Sequence, residues 1–247
     1  MIKKRPKKPD LHSLKQNLRQ AALPALVLTF WTGFSVIAGQ FIVGTPMVFL
    51  LGQTVQEPLW MTVYTALAYT VGLLICILIP TKLNKKLRTS REELGLTGLP
   101  TWTDIGLAPI GFIVYLIAAA IVTAAFSIFP WFIIDQAQDV GFNNLFSAPD
   151  RIVAFISLVI IAPVAEEIIF RGWLYGKLRA KLNLPIAMLL VSILFGILHG
   201  QWNVGVNVFA MSLVLCGLRE ITGTIWSGIL LHIIKNAIAF FILYVII

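Results

Sequence analysis

RIVAFISLVIIAPVAEEIIFRG, residues 151–172, reads as a membrane span with two adjacent glutamates, Glu166 and Glu167, set inside it. A charged side chain at the centre of a bilayer costs roughly 2.5–3.5 kcal/mol on insertion scales, so two carboxylates side by side require partners. Ionisable residues in such a place mark a functional site by default. Elsewhere the chain supplies Arg171, His199, His232 and Asn236 as candidate partners.

Composition agrees with a membrane setting. The 247 residues are 58% hydrophobic and 12% charged, with a mean hydropathy of +0.89, whereas a soluble domain carries about 25% charged residues. Backbone polar groups in lipid must be satisfied internally, which leaves helices or a closed barrel. The apolar runs are about 20 residues long and do not alternate, which selects helices. Seven segments follow, at 21–43, 59–80, 106–130, 151–170, 184–199, 204–218 and 225–246, with 44–51 as a possible extension of the first. The expected fold is all-α, a polytopic transmembrane helical bundle with about seven spans.

A net charge of +8 could suggest nucleic acid, but position argues against it. Seven of the nineteen basic residues lie in the first 20 positions, and five more lie between Lys82 and Arg91. These flank hydrophobic spans, where basic residues set orientation and meet anionic headgroups. The partner is the lipid bilayer, with no nucleic acid. Connections 44–58, 131–149 and 200–204 hold no Lys or Arg, and the second carries Asp135 and Asp139. The alternate connections hold Lys82, Lys85, Lys86, Arg88 and Arg91, then Arg171, Lys177, Arg179 and Lys181, then Arg219. The positive-inside rule therefore places the N-terminus, 81–104, 171–183 and 219–224 on the cytoplasmic side and the C-terminus outside, with Arg151 a mild exception.

The N-terminus, MIKKRPKKPD, has the look of a signal-peptide n-region. The apolar stretch after it is longer than a 7–15-residue h-region and lacks a clear cleavage site, so a retained first span is expected. Leu11, Leu14 and Leu18 share a helical face, which predicts a short interfacial helix before the membrane. In the 81–104 loop, Ser90 and Glu93 have capping-box spacing and predict a short surface helix with solvated Glu92 and Glu93. Cys76 and Cys216 lie in apolar runs without metal-site spacing, and read as small packing residues.

Three motifs carry the chemistry. In Glu166-Glu167-Ile168-Ile169-Phe170-Arg171, Glu167 and Arg171 are i and i+4 and can pair. Glu166 points about 100° away, free for another task. Pro163 removes a helix hydrogen bond and can kink the span beside the carboxylates. Phe195 and His199 share a face at the end of the fifth segment, and His232 and Asn236 lie one above the other in the last. The plain alternatives are helix-gluing ion pairs, an interfacial histidine and an interhelical hydrogen-bond pair. Against them stands a set in which Glu166 takes a proton from water and His232 and Asn236 donate to an oxyanion, the needs of acyl hydrolysis. His12, in the basic N-terminus, is expected to be inert.

The motifs EExxxR, FxxxH and HxxxN, in this order on successive membrane segments over residues 150–246, resemble the CPBP family, also called ABI. That family contains type II CAAX prenyl endopeptidases and bacteriocin-processing or immunity-type membrane proteins. The LGL stretch upstream and the WSGILLH run before the last motif add to the resemblance. It implies an intramembrane glutamic endopeptidase acting on a membrane-anchored or lipid-modified protein or peptide, in the cell membrane of a prokaryote. Glu166 would activate water, His199 would help hold it, His232 and Asn236 would form the oxyanion hole, and Glu167 and Arg171 would support the site. A Glu/His/His set could bind zinc in principle. The absence of HExxH and the poor ligand quality of Asn favour a mechanism with no cofactor and no metal. On this reading 1–20 is a basic cytoplasmic or interfacial N-terminus, 21–149 holds accessory spans, and 150–247 is the catalytic core. The alternatives are a non-proteolytic immunity or interaction protein of the same fold, and a small transporter using the carboxylates as proton carriers. Lys235, between His232 and Asn236, is expected to face Glu167 or Glu220. The depth of His199 requires its segment to start deep, tilt or break near Asn183 to Pro185.

Overall fold

A computed structural model describes residues 11–136, 142, 145 and 147–246. The basic stretch 1–10 and Asp139 lie outside the described residues. Among those described there are helices and turns and no strand. Helix α1 spans Leu11–Leu51, α2 Pro58–Leu83 and α3 Trp102–Phe126. Helices α4 (Ala148–Phe155), α5 (Ala162–Glu167) and α6 (Tyr175–Arg179) are joined end to end by π-turns at Ile156–Ile161 and Ile168–Leu174. Then come α7 (Leu184–Ile197), α8 (Trp202–Thr222) and α9 (Trp226–Phe241). Among the described residues six helical stretches are long and apolar enough to cross a membrane, and α7 is a shorter apolar helix. The chain is an all-helical, multi-pass membrane protein. Its outer face is apolar as lipid demands, with Phe49 88% and Phe30 74% exposed.

Several boundaries differ from the sequence expectation. The predicted interfacial helix is not separate: α1 runs unbroken from Leu11 to Leu51, through Pro24 and Pro46, and takes in 44–51. Ser90 does accept from the Glu93 backbone N–H at 3.2 Å, but residues 91–95 form only a turn. The complete capping box is at Thr101 and Asp104, where α3 begins. The fourth span does not stop near residue 170; the continuous helix runs Ala148–Arg179.

The bundle has two chemically distinct ends. At one, Lys177 pairs with Glu93 at 3.1 Å and Arg179 with Glu220 at 2.9 Å. Arg219 donates to the Glu93 carbonyl at 2.9 Å, and the Ile225 N–H donates to the Gly95 carbonyl at 3.1 Å. The loop before α3 is thus tied into the turns after α6 and α8. At the other end Asn203 donates to the carbonyls of Ile134 and Gln136 at 3.0 and 2.8 Å, and Trp131 and Trp202 pack 5.2 Å apart. Arg151, the exception to the charge pattern, donates to the Leu145 carbonyl at 3.0 Å near this end.

The placement of α7 follows from this frame. It is capped by Asn183, whose side chain accepts from the Ile186 N–H, and it packs backbone to backbone on α8. A Cβ on Gly196 would lie 2.8 Å from the Gly205 carbonyl oxygen, and one on Gly205 would lie 2.8 Å from that of Gly196. Only glycine permits this approach, and it sets the turn bearing His199 against the core.

Candidate active site

Glu167 and Arg171 are fully buried and pair at 2.9 Å, as the i, i+4 spacing predicts. The guanidinium also lies over the Phe195 ring, 4.4 Å from its centroid. His232, on α9, approaches the same carboxylate, its Nδ1 3.2 Å from Glu167 Oε1. Space for that carboxylate depends on Gly228, one turn before His232: a Cβ there would lie 2.9 Å from Glu167 Oε2. Glu167 Oε2 and Arg171 Nε and Nη2 have no hydrogen-bond partner among the described residues. A buried ion pair with orphaned atoms is a poor stabilising device, and this one stands directly behind His232.

Glu166 points the other way, into a cavity of about 320 Å³ lined by residues of α1, α2, α5, α8 and α9 and by His199. Glu166 Oε2 is 3.8 Å from His232 Nε2, and Glu166 Oε1 accepts a hydrogen bond from the Tyr69 hydroxyl. His232 therefore stands between the two glutamates, one ring nitrogen toward each. His199 Nδ1 is 2.7 Å from the Phe195 carbonyl oxygen. A carbonyl can only accept, so Nδ1 carries the proton and Nε2 is left for the cavity. Asn236 lines the same cavity, and its amide donates to the Leu158 carbonyl at 2.8 Å. An amide nitrogen has two N–H groups, so one remains.

Glu166, His199, His232 and Asn236, drawn from three parts of the sequence, thus meet at one cavity, with Glu167 and Arg171 buried behind it. The depth difficulty disappears without a break in the fifth segment. The fourth span continues to Arg179, which puts Glu166 about 20 Å from that end of its helix at 1.5 Å per residue. His199 follows a 14-residue helix, about 21 Å long, that starts from the same end. Lys235 does not face Glu220, which is taken by Arg179 and Tyr175. It lines the cavity with Glu166. Tyr69 escaped the sequence reading: a tyrosine in an apolar span, 97 residues before its partner, leaves no local pattern. Among the described residues no group of three His, Cys, Asp or Glu side chains is arranged to hold a metal ion. Cys76 and Cys216 are buried, free thiols.

Comparison with known proteins agrees with the motifs. Residues 148–238 match the profile of the family described as type II CAAX prenyl endopeptidase Rce1-like. The chain is 36% identical over 77 residues to the Bacillus subtilis protein named "Putative membrane peptidase YdiL", covering 31% of this chain and 32% of that one. It is 27% identical over 126 residues to the uncharacterized protein YpbD of the same organism, covering 49% of this chain and 62% of that one. The chain thus spans less than two thirds of the length of either relative. No solved structure matches it.

Proposed function

We propose that this membrane protein is an intramembrane endopeptidase that uses Glu166 to activate water against a peptide bond of a membrane-anchored or lipid-modified substrate. The observation that carries the reading is the cavity: a carboxylate from α5, an imidazole from the turn after α7, and an imidazole and an amide from α9 line one space large enough for water and a short stretch of peptide. Hydrolysis needs a base, a held water and donors for the developing oxyanion. Glu166 Oε2 takes a proton from water, and the hydroxide adds to the scissile carbonyl carbon. His199, with its proton on Nδ1, offers the Nε2 lone pair to orient that water. The oxyanion is met by the second N–H of Asn236 and by an N–H of the His232 ring, which Glu167 meets on its other side. Glu166 then returns the proton to the leaving amine as the tetrahedral intermediate collapses. Every step uses groups of this chain, so no cofactor is invoked.

The test uses purified full-length protein in liposomes with a panel of lipid-anchored, internally quenched peptides. Glu166→Gln should abolish cleavage, and His199→Ala should lower the rate about 100-fold or more, with protein yield unchanged in both. A chelator should leave the wild-type rate alone. Activity surviving Glu166→Gln would refute the assignment of the base, and loss with chelator reversed by zinc would refute the metal-free mechanism.

A further inference from the structure

One wall of the cavity comes from the half of the chain that carries none of the motifs. Helix α1 contributes Gln40, and α2 contributes Tyr64, Ala68 and Tyr69. The two helices are locked by close backbone contact: a Cβ on Gly39 would lie 2.5 Å from the Ala68 carbonyl oxygen. This contact fixes the α2 turn that ends in Tyr69. The Tyr69 hydroxyl then reaches across to donate to Glu166 Oε1. The other oxygen, Oε2, is the one that faces His232.

We infer that Tyr69 is a positioning residue for Glu166, an inference that rests on the hydrolytic reading above. A glutamate side chain has up to about 1.5–2 kcal/mol of rotamer freedom to lose on being fixed. The same cavity is lined by Lys235, an amine for which no hydrogen bond or ion pair within 4.0 Å is found among the described residues. An untethered Glu166 would swing toward it and away from the water. The phenol prevents this by occupying Oε1, so that Oε2 alone receives the proton. The base is therefore assembled from two parts of the chain, and Tyr69 lies outside the residues 148–238 that match the endopeptidase family.

Tyr69→Phe keeps the ring and removes only the hydroxyl. In the liposome assay it should lower kcat about ten- to a hundredfold, as misplaced reacting groups do, while KM stays within about twofold. Infrared difference spectra of wild type against Glu166→Gln isolate the Glu166 carboxylate band, and the same difference taken with Tyr69→Phe in both proteins should show that band displaced. An unchanged kcat, a loss confined to KM, or an unmoved band would overturn the positioning role. The hydrolytic reading fails separately, by wild type that cleaves nothing or by Glu166→Gln that still cleaves, and Tyr69 then has no base to position.

Discussion

His232 is where the two glutamates divide their labour. Its Nδ1 faces the buried Glu167 at 3.2 Å and its Nε2 faces Glu166 at 3.8 Å; under the proposed mechanism the first carboxylate orients the ring and the second acts as the base beside it. Carboxylates that orient metal-bound imidazoles matter about 10–100-fold, and Glu167 stands in the same relation to His232. Glu167→Gln should therefore lower kcat by about that range with little change in KM, measured in the same liposome assay. Arg171→Ala belongs to a different class. It leaves Glu167 as a buried charge without its cation, at a cost of about 3–5 kcal/mol, and should appear as a lower unfolding temperature in detergent. The pairing of Glu167 with Arg171 was legible in the sequence because it is local, four residues on one helix. The contact of Glu167 with His232, 65 residues away, had no such signature, and neither did that of Tyr69 with Glu166.

Within the long helix from Ala148 to Arg179, Pro163 and Asn236 explain each other. The Ala162 N–H donates to the Ser157 carbonyl in the first π-turn. In that register the next donor, to Leu158, would be the nitrogen of Pro163, which has no hydrogen. Asn236 from α9 supplies the missing donor at 2.8 Å. A lost hydrogen bond of this kind with an orphaned carbonyl costs about 1–3 kcal/mol. Asn236→Ala should destabilise the wild-type protein by that much, and measurably less in a Pro163→Ala background, where an N–H returns; unfolding temperatures of the four proteins give the coupling. The predicted kink is thus a π-turn bridged by a residue of the last helix. The end of this helix was misplaced for a related reason. Arg171 looks like the charged edge of a span, yet it is fully buried beside Trp173 and Leu174, because Glu167 is there to neutralise it. Hydropathy marks the end of a span by charge, and a charge paired inside the bundle carries no such information.

At the scale of the molecule, the basic connections that the sequence assigns to a single side do gather at one end: Lys177 and Arg88, Arg179 and Glu220, and Arg219 and Glu93 are all linked there. Two of the connections without basic residues meet at the other end through Asn203 and Ile134. The segregation was legible because each crossing reverses direction and the bias recurs at every second loop. Which end faces the cytoplasm depends on the bilayer, and the charge bias assigns the basic end to it. Single cysteines can test this, because native Cys76 and Cys216 are 0% exposed and should stay dark to a thiol reagent. A membrane-impermeant maleimide applied to intact cells should label Gln56→Cys and Asp135→Cys, which sit in exposed connections free of basic residues. Lys85→Cys, exposed at the basic end, should be labelled only after the membrane is opened. Labelling of Lys85→Cys in intact cells, with Gln56→Cys protected, would reverse the orientation and require the substrate to be sought on the outer side of the membrane.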